Sequence, residues 1–221
     1  MKKRLTTILT LSMLVLTGCR EKNIVGEELV NKAREDYGKL DSAEVVITDM
    51  KTGEVTQTFS FNYKDDGTMV YLYNGYIDGK PYIEYNNGES LYIKNNGEIT
   101  TSNSKSRDFK KFTRKKPHPD ASKEFILLVK DSIDEVSSKI TESGKQITYV
   151  YNAKKFRKVY RQLGEIKAFS VVYNFDKDGK FLNFIDTCVI EENGNDVEKA
   201  FKVEITEKNQ ILRIDKPEVF K

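Results

Sequence analysis

Tryptophan is absent from this 221-residue chain, and histidine occurs once, at position 118. There are two cysteines, Cys19 and Cys188, and four prolines. These shortages exclude several kinds of chemistry. With Cys19 set aside for the reason given below, one histidine and one thiol are too few ligands for a zinc site. His118 lies between Pro117 and Pro119 in a basic stretch, where it reads as a solvated loop residue and not as a general base. No Walker loop, dinucleotide fingerprint or glycine-flanked nucleophilic serine occurs. The chain therefore reads as a non-enzyme, with no catalytic residue, no metal and no cofactor. An excess of one charge is also missing. The full chain has 37 basic and 34 acidic residues, but residues 1–18 hold three basic side chains and no acidic one. The remainder carries 34 of each, so its formal charge is zero and overall charge offers no argument for nucleic acid.

What is present begins at the N-terminus. Lys2, Lys3 and Arg4 precede an uncharged apolar run over 5–18, which is too short to span a bilayer comfortably. The run ends in Leu16-Thr17-Gly18-Cys19 and turns at once to Arg20, Glu21 and Lys22. That ending resembles a bacterial lipobox. The resemblance implies a signal peptide over 1–18, acylation of Cys19 as the first mature residue, and a tether over 19–23. The expected location is the extracytoplasmic face of a bacterial cell membrane. Each buried methylene of the anchor contributes about 0.8 kcal/mol, so two or more chains hold firmly. Cys188 then has no partner for a disulfide and reads as a buried thiol in a strand.

Beyond the tether, Val25, Leu29, Val30, Ala33 and Tyr37 share one face of an amphipathic helix over 24–37. Short alternating runs follow, separated by "KTGE", "KDDG", "IDGK" and two copies of "NNGE", the punctuation of antiparallel hairpins. A single up-and-down meander accounts for 43–101. The stretch 101–120 is polar and basic and reads as a connection. A second helix is expected over 121–136, burying Phe125, Leu128, Val129, Ile133 and Val136. A strand at 146–152, a short helix at 153–163 and three long strands from 167 complete the chain. In "NFDKDG", Asn174, Asp176, Asp178 and Gly179 match half of a calcium loop, but Ile185 stands where the bidentate Glu belongs. A hairpin turn is the better reading.

The closing segments "YNFDKDGKFLNFIDTCVIEENG" and "VEITEKNQILRIDKPEVF", with the lipidated cysteine, first helix and meander, resemble the LolA/LppX-like lipoproteins. The resemblance implies an α+β fold over 24–221: one strongly curved antiparallel sheet, a half-barrel, with a few helices covering its concave face around an apolar cavity. It implies a lipid or other apolar ligand.

Two sets of residues are candidates for contact. In 181–190 both faces of a strand are apolar, which a sheet with one wet face does not need. Phe181 and Ile185 fall on one side, Leu182 and Phe184 on the other, and with Phe125 and Val129 of the expected helix they form the ligand set. The second set is Arg107, Lys110, Lys111, Arg114, Lys115 and Lys116, interleaved with Phe109 and Phe112. It suits an anionic surface at about 1 kcal/mol per basic residue. Export excludes nucleic acid as its partner, and the sequence names no protein partner. The competing function is a surface lipoprotein that acts as an interaction or sensor module, its core packed and its cavity absent.

Overall fold

The computed structural model describes residues 24–77, 79–107, 109–155, 166–210 and 212–221. Cys19 and the apolar run before it lie outside them. So does most of the helix expected over 153–163.

The first helix forms but starts later than expected: α1 spans Glu27–Gly38 and buries Val30, Ala33 and Tyr37 at spacings of three and four, while Val25, placed on its apolar face, precedes it and is exposed. Glu27 and Glu28 in its first turn favour the positive end of the helix dipole. Gly26 precedes it at φ 78°, where a Cβ would stand 2.2 Å from Cδ1 of Ile147. Only glycine lets the helix start this close to the sheet.

Eleven strands follow. They are β1 (Ser42–Asp49), β2 (Val55–Tyr63), β3 (Met69–Ile77), β4 (Lys80–Asn86), β5 (Ser90–Asn95) and β6 (Glu98–Asn103), then β7 (Ile133–Thr141), β8 (Gly144–Tyr151), β9 (Ile166–Asp176), β10 (Phe181–Glu192) and β11 (Asn195–Thr206). They form one antiparallel sheet in the order β6-β5-β4-β3-β2-β1-β11-β10-β9-β8-β7. Each half is a meander, as the turn signals require, and the halves join where β1 pairs with β11, for example Val45 opposite Ile205.

The registers place the core on one face. Ala43 lies opposite Phe61, which lies opposite Tyr71; Val203 lies opposite Phe184, which lies opposite Tyr173. All six are buried. Since β6 and β7 are the two edges, the connection between them must travel the width of the sheet. Ten strand spacings measure roughly 48 Å if flat. Residues 104–132 reach roughly twice that when extended. They form a strap across the core face.

That strap replaces the helix expected over 121–136. Its helical content among the described residues is three 3₁₀ turns, Pro119–Ala121, Lys123–Phe125 and Lys130–Ser132. Residues 133–141 instead pair with β8 as a strand. Tyrosines of α1 and of the sheet claim backbone carbonyls just before and inside the stretch 121–136. Tyr37 of α1 donates to the carbonyl of Asp120, and Tyr173 to that of Leu127. Ile126, outside the expected apolar stripe, is wholly buried, whereas Val136 is half-buried on β7. At the C-terminus, 212–217 has no regular structure, and Glu218–Phe220 is a 3₁₀ turn that sets Phe220 against Tyr92.

Candidate functional site

The helix α1 leaves part of its inner face open. Between it and the turn joining β9 to β10 is a pocket of about 230 Å³. Its apolar lining comes from Leu29, Tyr37 and Leu40 on one side and Phe175, Phe181 and Ile205 on the other. Lys32, Lys180 and Lys208 stand around it, with Asp36 and Asp178. Burial, and after it the neighbouring Lys180 charge, hold the Lys208 ammonium below the ordinary lysine range, with Asp36 opposing. An anion in the pocket would relieve that cost.

The turn is built as the "NFDKDG" motif predicts. Oδ1 of Asp176 accepts from the backbone N–H of Asp178 at 3.0 Å and of Lys180 at 2.8 Å. These contacts fix the backbone from which Lys180 reaches the pocket. The carboxylate serves the turn.

The six residues of the expected ligand set do not converge. Phe181 lines the pocket. Phe184 is buried in the core, with its ring 5.9 Å from Phe125 and 6.4 Å from Phe181. Phe125 also packs on Tyr37, and Val129 is half-buried against the core. Leu182 is 40% exposed, and Ile185 is half-buried in a strand position alternate to Phe184. A register shift between Phe181 and Asn183 explains the new grouping. One extra residue in a strand reverses the alternation beyond it, so Phe181 and Phe184 share a face that strict alternation assigns to different sides.

Arg107, Lys110, Lys111, Arg114, Lys115 and Lys116 lie along the first part of the strap, most of them exposed. Arg114 is engaged: it pairs with Asp41 at 2.6 Å and lies 4.7 Å over the Tyr63 ring. Phe112 turns inward onto Tyr71.

His118 corrects the reading of a solvated loop. Its ring stacks on Phe59 at 4.9 Å and meets Tyr71 and Phe112 at the same distance. Burial lowers its pKa, and its Nδ1 accepts from the N–H of Asp120 at 3.2 Å, as a neutral imidazole does. Beside it, Tyr71 and Tyr82 both donate to the Glu84 carboxylate. This cluster locks the strap to β2–β4. The sequence offered one hint, a histidine flanked by prolines just after two phenylalanines. The three lysines of the pocket had no signal at all, since they come from three separate segments.

An antiparallel single-sheet protein with a lysine-rimmed apolar pocket beneath its first helix is the class that fold and site define. No family model matches the chain, and no curated protein matches it. Among solved structures, it is similar to lipoprotein LppX from Mycobacterium tuberculosis, at 10% identity and a TM-score of 0.46. That likeness covers 85% of this chain and 97% of the other. It is also similar to LprF from Mycobacterium bovis, at 10% identity and a TM-score of 0.48, over 87% of this chain and 97% of that one.

Proposed function

We propose that the protein is a membrane-anchored extracytoplasmic lipoprotein that binds a lipid or other apolar ligand. In this reading, 1–18 is the signal peptide, 19–23 the lipidated tether and 24–221 a single half-barrel domain. Its sheet curves around α1 and the strap. The pocket between α1 and the β9–β10 turn carries the reading: an apolar lining with a rim of lysines suits a slender chain with an anionic head. At about 230 Å³ it lies just under the roughly 300 Å³ at which drug-sized sites begin, so one acyl chain fits better than a branched lipid. Binding, not catalysis, is the inferred activity.

Leu29→Trp tests this. The indole would occupy pocket space, so uptake of a fluorescent fatty acid should fall at least about tenfold, or 1.4 kcal/mol. Stability should change little, because overpacking costs roughly 1–3 kcal/mol only where the core is already full. A destabilised variant of a protein that never takes up the probe would favour the packed sensor module instead.

Anchoring has its own test. Cys19→Ala should abolish metabolic labelling with a fatty acid. The unlipidated protein should retain a weak attraction to anionic vesicles through Lys110, Lys111, Lys115 and Lys116, lost as salt shortens the screening length toward 3 Å at about 1 M. Undiminished labelling would end the anchoring assignment, and salt-insensitive vesicle binding the electrostatic one.

A further inference from the structure

A second recess of about 310 Å³ lies among residues of β1, β2, β3, β10 and β11, away from α1. Its walls are Ile47 of β1, Gln57 of β2, Tyr76 of β3, and Phe201 and Val203 of β11. Asp186 of β10 completes the lining, directly opposite Phe201 on one side and Val171 on the other. Its Oδ1 is sealed from solvent and has no hydrogen-bond partner among the described residues.

A buried carboxylate is expected to have a counter-ion or several donors. The titratable groups around Asp186 are engaged elsewhere or make no hydrogen bond to it among the described residues. Lys199 lies on the same face of β11, but its ammonium is paired with Glu192. Lys202, at an alternate position, pairs with Glu204 at 2.8 Å. Asp49, opposite Phe201 on β1, accepts from the backbone N–H groups of Lys51 and Thr52 within its own turn. The Tyr173 hydroxyl donates to the Leu127 carbonyl. Cys188 follows two positions along β10, and burial keeps its thiol protonated.

We infer that this recess is a binding site for an apolar primary amine, whose ammonium pairs with Asp186. The chemistry of the walls fits. A cation beside an unpartnered carboxylate gains the charge pair that the surrounding side chains do not provide. The Tyr76 and Phe201 rings add faces that attract a cation, worth several-fold in affinity when desolvated. Ile47 and Val203 suit a short aliphatic body. The recess shares no lining residue with the lysine-rimmed pocket, so the two sites are independent.

The test uses the full-length protein at pH 8 and three probes of equal chain length: n-octylammonium, n-octanol and octanoate. Calorimetric titration should show octylammonium binding that Asp186→Asn weakens at least about tenfold and that Leu29→Trp leaves unchanged. Octanol should bind at least tenfold more weakly, and octanoate should not compete. Asn is nearly isosteric with Asp, and an unchanged near-ultraviolet spectrum would verify that the variant is folded. Octanol binding as tight as octylammonium, amine binding indifferent to Asp186→Asn, amine binding lost in Leu29→Trp, or no amine binding at all would each overturn the assignment.

Discussion

Asparagine in place of Asp186 should make the protein more stable at pH 8 but not near pH 4.5. Burial pushes the Asp186 carboxyl up to about 7, far above the ordinary aspartate range near 4. Between those limits the folded state holds a proton that the unfolded chain has released. The unfolded state thus binds fewer protons, and by linkage the stability must fall as pH rises through the window from about 4 to 7. A tenfold change in proton affinity corresponds to about 1.4 kcal/mol, so above pH 7 the charged carboxylate costs on the order of 4 kcal/mol. Asn carries no charge but leaves a polar amide without a partner, which costs about 1–3 kcal/mol. A net gain of roughly 1–3 kcal/mol at pH 8 is expected, read as a higher urea midpoint at unchanged m-value. The stability–pH curve of the variant should also lose most of its fall between pH 5 and 7. If both curves run parallel, Asp186 titrates alike in the folded and unfolded chain.

Gly144→Ala should be the most damaging single-methyl change in the sheet. Gly144 begins β8 and lies opposite Asp176 at the end of β9, with φ at +147°. A Cβ there would stand 2.1 Å from the carbonyl oxygen of Phe175 and 2.4 Å from the carbonyl carbon of Asp176. Both obstacles are backbone, so no side chain can rotate away. The strain of an L-residue at that φ costs on the order of 1–3 kcal/mol, and relieving the clash requires parting β8 from β9. A loss of about 2–4 kcal/mol is expected from urea denaturation, at the upper end of ordinary point substitutions. Faster amide exchange should appear at Lys145 and Phe175 before it appears in β1–β3. Because Phe175 lines the pocket and Asp176 shapes the turn that presents Lys180, fatty-acid uptake should weaken as well. A loss under about 0.5 kcal/mol, the range of neutral surface changes, would mean that the hairpin and β9 are not held at this separation.

The legible part of the fold is the part encoded over a few residues. Alternation in "VTQTFSFNY" or "KAFSVVYNF", bounded by turns such as "KDDG" and "DKDG", marks a strand because side-chain direction alternates with every residue. Val30, Ala33 and Tyr37 mark α1 for the corresponding helical reason. Over 121–136 the same kind of signal misleads. Phe125, Leu128, Val129 and Ile133 do bury apolar surface, at spacings a helix would use. The carbonyl of Leu127 inside that stretch and that of Asp120 just before it are engaged by Tyr173 and Tyr37, and periodicity carries no trace of such competition. Asp186 left a clearer mark, a single acid within the apolar "FLNFIDTCVI", which alternation alone reads as one more polar position.

By itself the sequence determined an antiparallel sheet built from hairpins, an amphipathic first helix, and a lipobox-like N-terminus, since each rests on local periodicity or a short contiguous motif. Tertiary structure alone decided that β1 closes onto β11, that a bulge brings Phe181 and Phe184 to one face, and that His118 of the strap packs against β2 and β3. It alone brought Lys32, Lys180 and Lys208 together around an apolar pocket and left Asp186 without a partner among the described residues. The reason is one of distance along the chain. Strand pairing between remote segments, the route of residues 104–132 across the sheet, and the solvation of a single carboxyl all depend on which far-off side chains arrive beside a residue. No local pattern can record that.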